Sequence, residues 1–164
     1  GLGDVYKRQT AHGAAENVRT LLKSLGYTLE NTDLHINFPG GMPVDGPSAG
    51  VAMAVAAVSA LTDTPVDGTM AVTGEITVQG KVKAVGSVPQ KVEAACQAGL
   101  LRVLIPKEND AETLHIAGIE VQEIDDVHQA LSAMLVHTKT AKKLIHSPLP
   151  MTEKVAAAAA EPSA

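Results

Sequence analysis

Aromatic side chains are almost missing from this sequence: Tyr6, Tyr27 and Phe38 are 2 % of its 164 residues, and there is no tryptophan. Its core must therefore be Val, Ile, Leu, Ala and Met, small side chains that pack close together. Cysteine is limited to Cys96, which excludes an internal disulfide and argues against a thiolate metal site. That usage fits a reducing, cytoplasmic setting. Positive charge is not in excess either: 13 Lys and Arg stand against 18 Asp and Glu, a net charge of −5 with no basic cluster. A nucleic-acid partner is not expected, because phosphate contacts need a positive face. Long apolar runs are also lacking. The longest uncharged stretch, Gly46 to Thr62, has 17 residues, opens on Gly-Pro-Ser and is rich in Ala and Ser. It falls short of the ~20 strongly apolar residues that a bilayer requires. No membrane span and no secretory signal are expected, and the stretch reads as a buried core helix.

What the chain does have is 45 % hydrophobic residues, enough for one domain with a single core. Periodicity alternates between helix and strand. Thr10 to Leu25 is helical, with Ala14, Val18, Leu21, Leu22 and Leu25 on one face and Gly26 as its stop. Leu34 to Phe38 reads as a short strand, and Ser48 to Leu61 as a helix with almost no polar face. Thr69 to Val78 and Lys81 to Val85 read as two strands of a hairpin turning at Gln79-Gly80. Pro89 to Ala98 is a helix with proline in its first turn and Gly99 past its end. Strands over 102–105 and 120–124, and helices over 110–116 and 127–135, complete a mixed α/β fold without internal repeats. The tail, 138–164, with its prolines and alanine run, is expected to be mobile. Gly1 to Gln9 is expected to be a non-native or truncated N-terminal segment.

The most unusual sequence is Pro39 to Gly50, with three prolines and four glycines in twelve residues. Such a run fixes the backbone course and presents Ser48 at the start of an apolar helix. Unpaired N–H groups and the positive end of the helix dipole lie there, favouring developing negative charge. Ser48 could be a nucleophile with loop N–H groups as its oxyanion hole, or it could simply cap the helix. Gly46-x-Ser48-x-Gly50 also matches a nucleophile elbow, but Pro43 and Pro47 spoil the straight strand that an elbow needs. A serine nucleophile needs a base. Six histidines are present, and Lys91 is the other candidate, in the first turn of its helix beside Val88, Val92, Ala94 and Ala95. Desolvation and the helix dipole would both lower its pKa; as an ordinary lysine it would simply be solvated.

Four segments, in order, resemble the proteolytic domain of the Lon protease family. Pro43-Val44-Asp45-Gly46-Pro47-Ser48-Ala49-Gly50 resembles its nucleophile motif, and Ala71-Val72-Thr73-Gly74-Glu75-Ile76-Thr77 with Gly80-Lys81-Val82 the segment that follows. Val85-Gly86-Ser87-Val88-Pro89-Gln90-Lys91 resembles the lysine segment, and Val103-Leu104-Ile105-Pro106-Lys107-Glu108-Asn109 the next strand. The resemblance covers about 33–135 and implies a Lon protease domain, a ribosomal protein S5 domain 2-like fold, over 10–137. It implies a serine-type endopeptidase with a serine–lysine dyad: Ser48 as nucleophile and Lys91, 43 residues later, as general base. Thr73 matches a threonine that orients the lysine amine. Asp45 would shape the loop, and Gly46, Pro47 and Ser48 would frame the oxyanion hole, although Pro47 has no N–H to give. His35 falls where many members carry a histidine; Asn37 departs from that pattern. Gly86-Ser87-Val88 departs from the more usual Gly-Gly-Leu, a change expected to affect packing more than catalysis.

The family's partners and cofactors follow by the same resemblance. No Gly-x-x-x-x-Gly-Lys-Ser/Thr sequence occurs, so no cofactor is expected in this chain, and ATP with Mg would serve an ATPase module of a longer parent protein. The expected substrates are misfolded (unfolded) or regulatory proteins, and the expected assembly is a homo-hexamer. The family's proteolytic domain begins with strands ahead of the first helix; these are not apparent here, so an exposed sheet edge is expected. The alternative is a non-catalytic or anion-binding module of the same fold. Anion binding would call for basic residues in the loop, and 40–50 contains none.

Overall fold

The computed structural model describes residues 11–38, 46–111 and 116–136. The segments 1–9, 39–45 with Asp45, most of the helix expected over 110–116, and the tail lie outside the described residues.

Helix α1, Ala11–Ser24, buries Ala14, Val18, Leu21 and Leu22 against α2, Gly50–Thr62. A 3-10 turn, Pro47–Ala49, runs straight into α2. Most of α2 is buried, which its Ala- and Val-rich sequence permits because small side chains let neighbours approach closely, while Ala56 and Ala60 stay exposed. Strand β1, Met70–Val72, β4, Arg102–Pro106, and β5, Glu120–Ile124, form a parallel sheet in the order β1-β4-β5. The register pairs Ala71 with Val103 and Val103 with Val121. Strand alternation then sends Leu104 and Ile124 into the core shared by α1, α2 and α4, Val127–Met134. Val103 and Ile105 point the other way, onto Val88 and Val92 of α3, Val88–Gln97. Helices therefore cover both faces, and α2 and α3 lie on opposite sides of the sheet. At the start of α4, Asp126 accepts from His128 N at 2.9 Å while the Gln129 side chain accepts from Asp126 N at 3.3 Å, a reciprocal capping box.

Two expected strands differ. The segment 34–38 is not a strand: among the described residues no neighbouring strand pairs with it, and Leu34 and Phe38 are each 37 % exposed. The stretch 69–78 is broken. Its first part, β1, joins the parallel sheet; its second, β2 (Glu75–Ile76), forms the antiparallel hairpin with β3 (Val82–Lys83). The break falls at Thr73-Gly74. Thr73 N still donates to Leu104 O of the central strand, whereas Gly74 N turns to Ser48 O and Gly74 O accepts from Val51 N. Competition between sheet and helix start ends the strand there. Gly74 is required for this, since a Cβ would sit 2.8 Å from Val82 Cγ1 and 2.9 Å from Val51 Cγ2.

Before α3, Ser87 takes φ 58 and ψ 37, a left-handed conformation that favours glycine. Ser87 therefore carries backbone strain at an exposed position, whereas the Val88 that follows it is buried.

Gly74→Ala is expected to lower stability by about 1–3 kcal/mol, because stiff valine side chains must yield to the new methyl; chemical denaturation would measure it. Ser87→Gly should gain up to about 1 kcal/mol, the relief of left-handed strain less the added freedom of the unfolded chain, seen as a raised Tm.

Candidate active site

Gly46 opens the turn with φ 112 and ψ 166, a combination essentially reserved for glycine. Pro47 follows with its φ already set for the first helical position. Ser48 is thus held, half-buried, where the first N–H groups of a helix have no acceptor within the helix. No side chain caps this end, so Ser48 does not act as the conventional N-cap here. Instead the Ser48 carbonyl accepts from Gly74 N at 2.9 Å, and Val51 N donates to Gly74 O at 3.2 Å. These two backbone bonds clasp the turn to the end of β1. Gly50 makes the approach possible: a Cβ there would meet Ile76 Cγ2 at 2.8 Å.

Lys91 arrives from the other face of the sheet. In α3 it falls between Val88, Val92 and Ala95, all buried, so its stem shares the stripe that faces the sheet. Its amine donates to Thr73 Oγ1 at 3.4 Å. Burial pushes the amine below the ordinary lysine value of 10.5. Thr73 is itself buried, and its hydroxyl also donates to Ser48 O at 3.4 Å. One hydroxyl thus touches both the serine turn and the lysine. Among the described residues no direct hydrogen bond joins the Ser48 hydroxyl to the Lys91 amine; the link runs through Thr73. The meeting point lies just past the carboxyl end of β1, where parallel sheets commonly place their sites.

Of the remaining expected residues, Gly46 and Pro47 shape the turn. His35 lies exposed in the segment 31–38, and its side chain has no hydrogen bond or ion pair among the described residues. Asp45 is outside the described residues. Gly50 and Gly74 are the positions that sequence reasoning did not single out. Their signal was a glycine beside a nucleophile candidate and another interrupting a strand pattern. No group of three or more His, Cys, Asp or Glu that could hold a metal occurs among the described residues, and no helix among them is long and apolar enough to cross a membrane.

Residues 1–138 match the family model of the Lon protease (S16) C-terminal proteolytic domain. The chain is 43 % identical over 143 residues to Lon protease 2 of Bacillus subtilis, covering 87 % of this chain and 26 % of that protein. It is 40 % identical to a Lon protease of Anaeromyxobacter dehalogenans, covering 99 % and 20 % respectively. An archaeal Lon protease of Archaeoglobus fulgidus is 38 % identical across 84 % of this chain and 23 % of its own length. The chain spans about a quarter or less of these curated relatives.

Proposed function

The chain belongs to the Lon protease family as a serine-type proteolytic domain, and on that premise we propose that Ser48 is its nucleophile and Lys91 its general base. The observation that carries this reading is the Thr73 hydroxyl, within 3.4 Å of both the Lys91 amine and the Ser48 carbonyl. Neutral Lys91 takes the hydroxyl proton as Ser48 Oγ attacks a peptide carbonyl, and the negative charge develops on the carbonyl oxygen. The backbone N–H groups of Gly46 and Ser48 are the donors proposed for that oxygen; Pro47 offers none. Collapse of the tetrahedral intermediate expels the amine half of the substrate, with Lys91 returning the proton, and leaves an ester on Ser48. Water, deprotonated by the same amine, then releases the acid half. Thr73 orients the amine, and Asp45 is assigned the shape of the loop. His35 has no step.

The wider reading rests on the family. The domain is proposed to span 10–137, with a ribosomal protein S5 domain 2-like arrangement, in a cytoplasmic homo-hexameric parent that degrades misfolded or regulatory proteins. ATP with Mg would act in an ATPase module of that parent. The loop over 40–50 itself has no lysine or arginine to meet phosphate.

Ser48→Ala and Lys91→Ala should each lower peptide turnover by at least about 10³-fold while leaving the far-ultraviolet circular dichroism unchanged; near-normal turnover in either variant contradicts the dyad. Since Lys91 works only as the neutral amine and its pKa is lowered, kcat should rise with pH through a midpoint below 10.5. A pH series on a fluorogenic peptide checks this, and a profile flat from about pH 6 to 9 with chemistry rate-limiting would count against a lysine base.

A further inference from the structure

Among the described residues, no strand pairs with the segment linking β3 to α3. The hairpin register ends at Glu75 with Lys83, and the chain then runs through Ala84, Val85, Gly86 and Ser87 before α3 begins. Gly86 and Ser87 are exposed, and a Cβ on Gly86 would touch nothing within 4 Å. What anchors the segment comes from the 3-10 turn Lys107–Asn109, which follows directly on the central strand β4. The Asn109 side chain accepts from Val85 N at 3.0 Å and donates to Val85 O at 2.9 Å, offering the backbone both halves of a missing strand neighbour. Glu108 adds a second hold, accepting from Ala84 N at 3.1 Å and from Lys83 Nζ at 2.7 Å. The Glu108–Lys83 pair is about half exposed on each side, so it contributes little by itself. The half-buried amide bonds of Asn109 are the stronger constraint.

We propose that Asn109 is a positioning residue for Lys91: by gripping both polar groups of Val85 it fixes the start of α3 against the central strand and so holds the lysine amine on Thr73. Val85 stands three residues before α3 and six before Lys91, and its side chain packs on the same small cluster as Val88 and Val92. Loss of the grip frees a Gly-Ser linker, lets the first turn of α3 move, and admits water to the Lys91 stem. The inference rests on the Ser48–Lys91 reading for its catalytic meaning, but its geometric content is separate.

The test compares the chain with Asn109→Ala and with Asn109→Ser, which is neutral and can keep one of the two bonds. The lysine side chains carry ¹³C at Cε, and the Lys91 signal is identified by its loss in Lys91→Ala. Burial alone lowers the Lys91 pKa in the intact protein, so the loosened variants should titrate higher, with Asn109→Ala moving further than Asn109→Ser. The rate at which a serine-directed phosphonate labels Ser48 should fall about tenfold in Asn109→Ala, as expected for an amine displaced by a fraction of an ångström. An unchanged or lowered Lys91 midpoint in folded variants overturns the proposal, and so does failure of both variants to show a cooperative unfolding transition, since Asn109 is then simply structural. Labelling of Ser48 that survives Lys91→Ala overturns the dyad instead, leaving the titration to judge Asn109 alone.

Discussion

The structure depends on a strand that stops one residue early. At Thr73 the backbone still belongs to the sheet; at Gly74 it has turned to the start of α2. That switch puts a buried hydroxyl at the end of an edge strand, with one helix start reaching it from each face of the sheet. Its position is set by backbone bonds on both sides, to Leu104 O and to Ser48 O, which are stiffer constraints than surface side chains could provide. Lys91 then needs only a buried stripe on α3 to bring its amine to that point.

The same arrangement explains why the lysine need not carry charge. Burial between Val88, Val92 and the sheet is the cause of its lowered pKa, and among the described residues no carboxylate opposes it. A neighbouring acid would stabilise the ammonium and defeat a role as base. The neutral hydroxyl of Thr73 gives the amine a partner without that penalty. Small core residues serve the same end, because glycines at 50 and 74 allow backbone approaches that any Cβ would block.

Much of this was legible in the sequence. The apolar stripes of α1, α3 and α4 announced these helices, and Gly46-Pro47 announced the turn that carries Ser48. The order of four motifs pointed to Thr73 and Lys91. What was not legible depended on partners far along the chain. An alternating run such as 34–38 is a strand only if another strand lies beside it, and periodicity cannot report that. The run 69–78 looked continuous because both halves are extended; only the rival claim of Ser48 O on Gly74 N divides it. The strain at Ser87 is invisible to pattern reading, since serine is ordinary at a helix start and unfavourable only with positive φ. His35, chosen by resemblance, is exposed and has no side-chain hydrogen bond or ion pair among the described residues.

A serine–lysine mechanism requires the two reacting atoms to meet when substrate is bound, and a crystal structure of the chain with a peptide boronate tests this most directly. The expected result is a covalent bond to Ser48 Oγ, the Lys91 amine within about 3 Å of that oxygen, and a boronate oxygen facing the backbone N–H groups at the start of α2. Boron attached elsewhere, or a Lys91 amine turned to solvent with the serine modified, would contradict it.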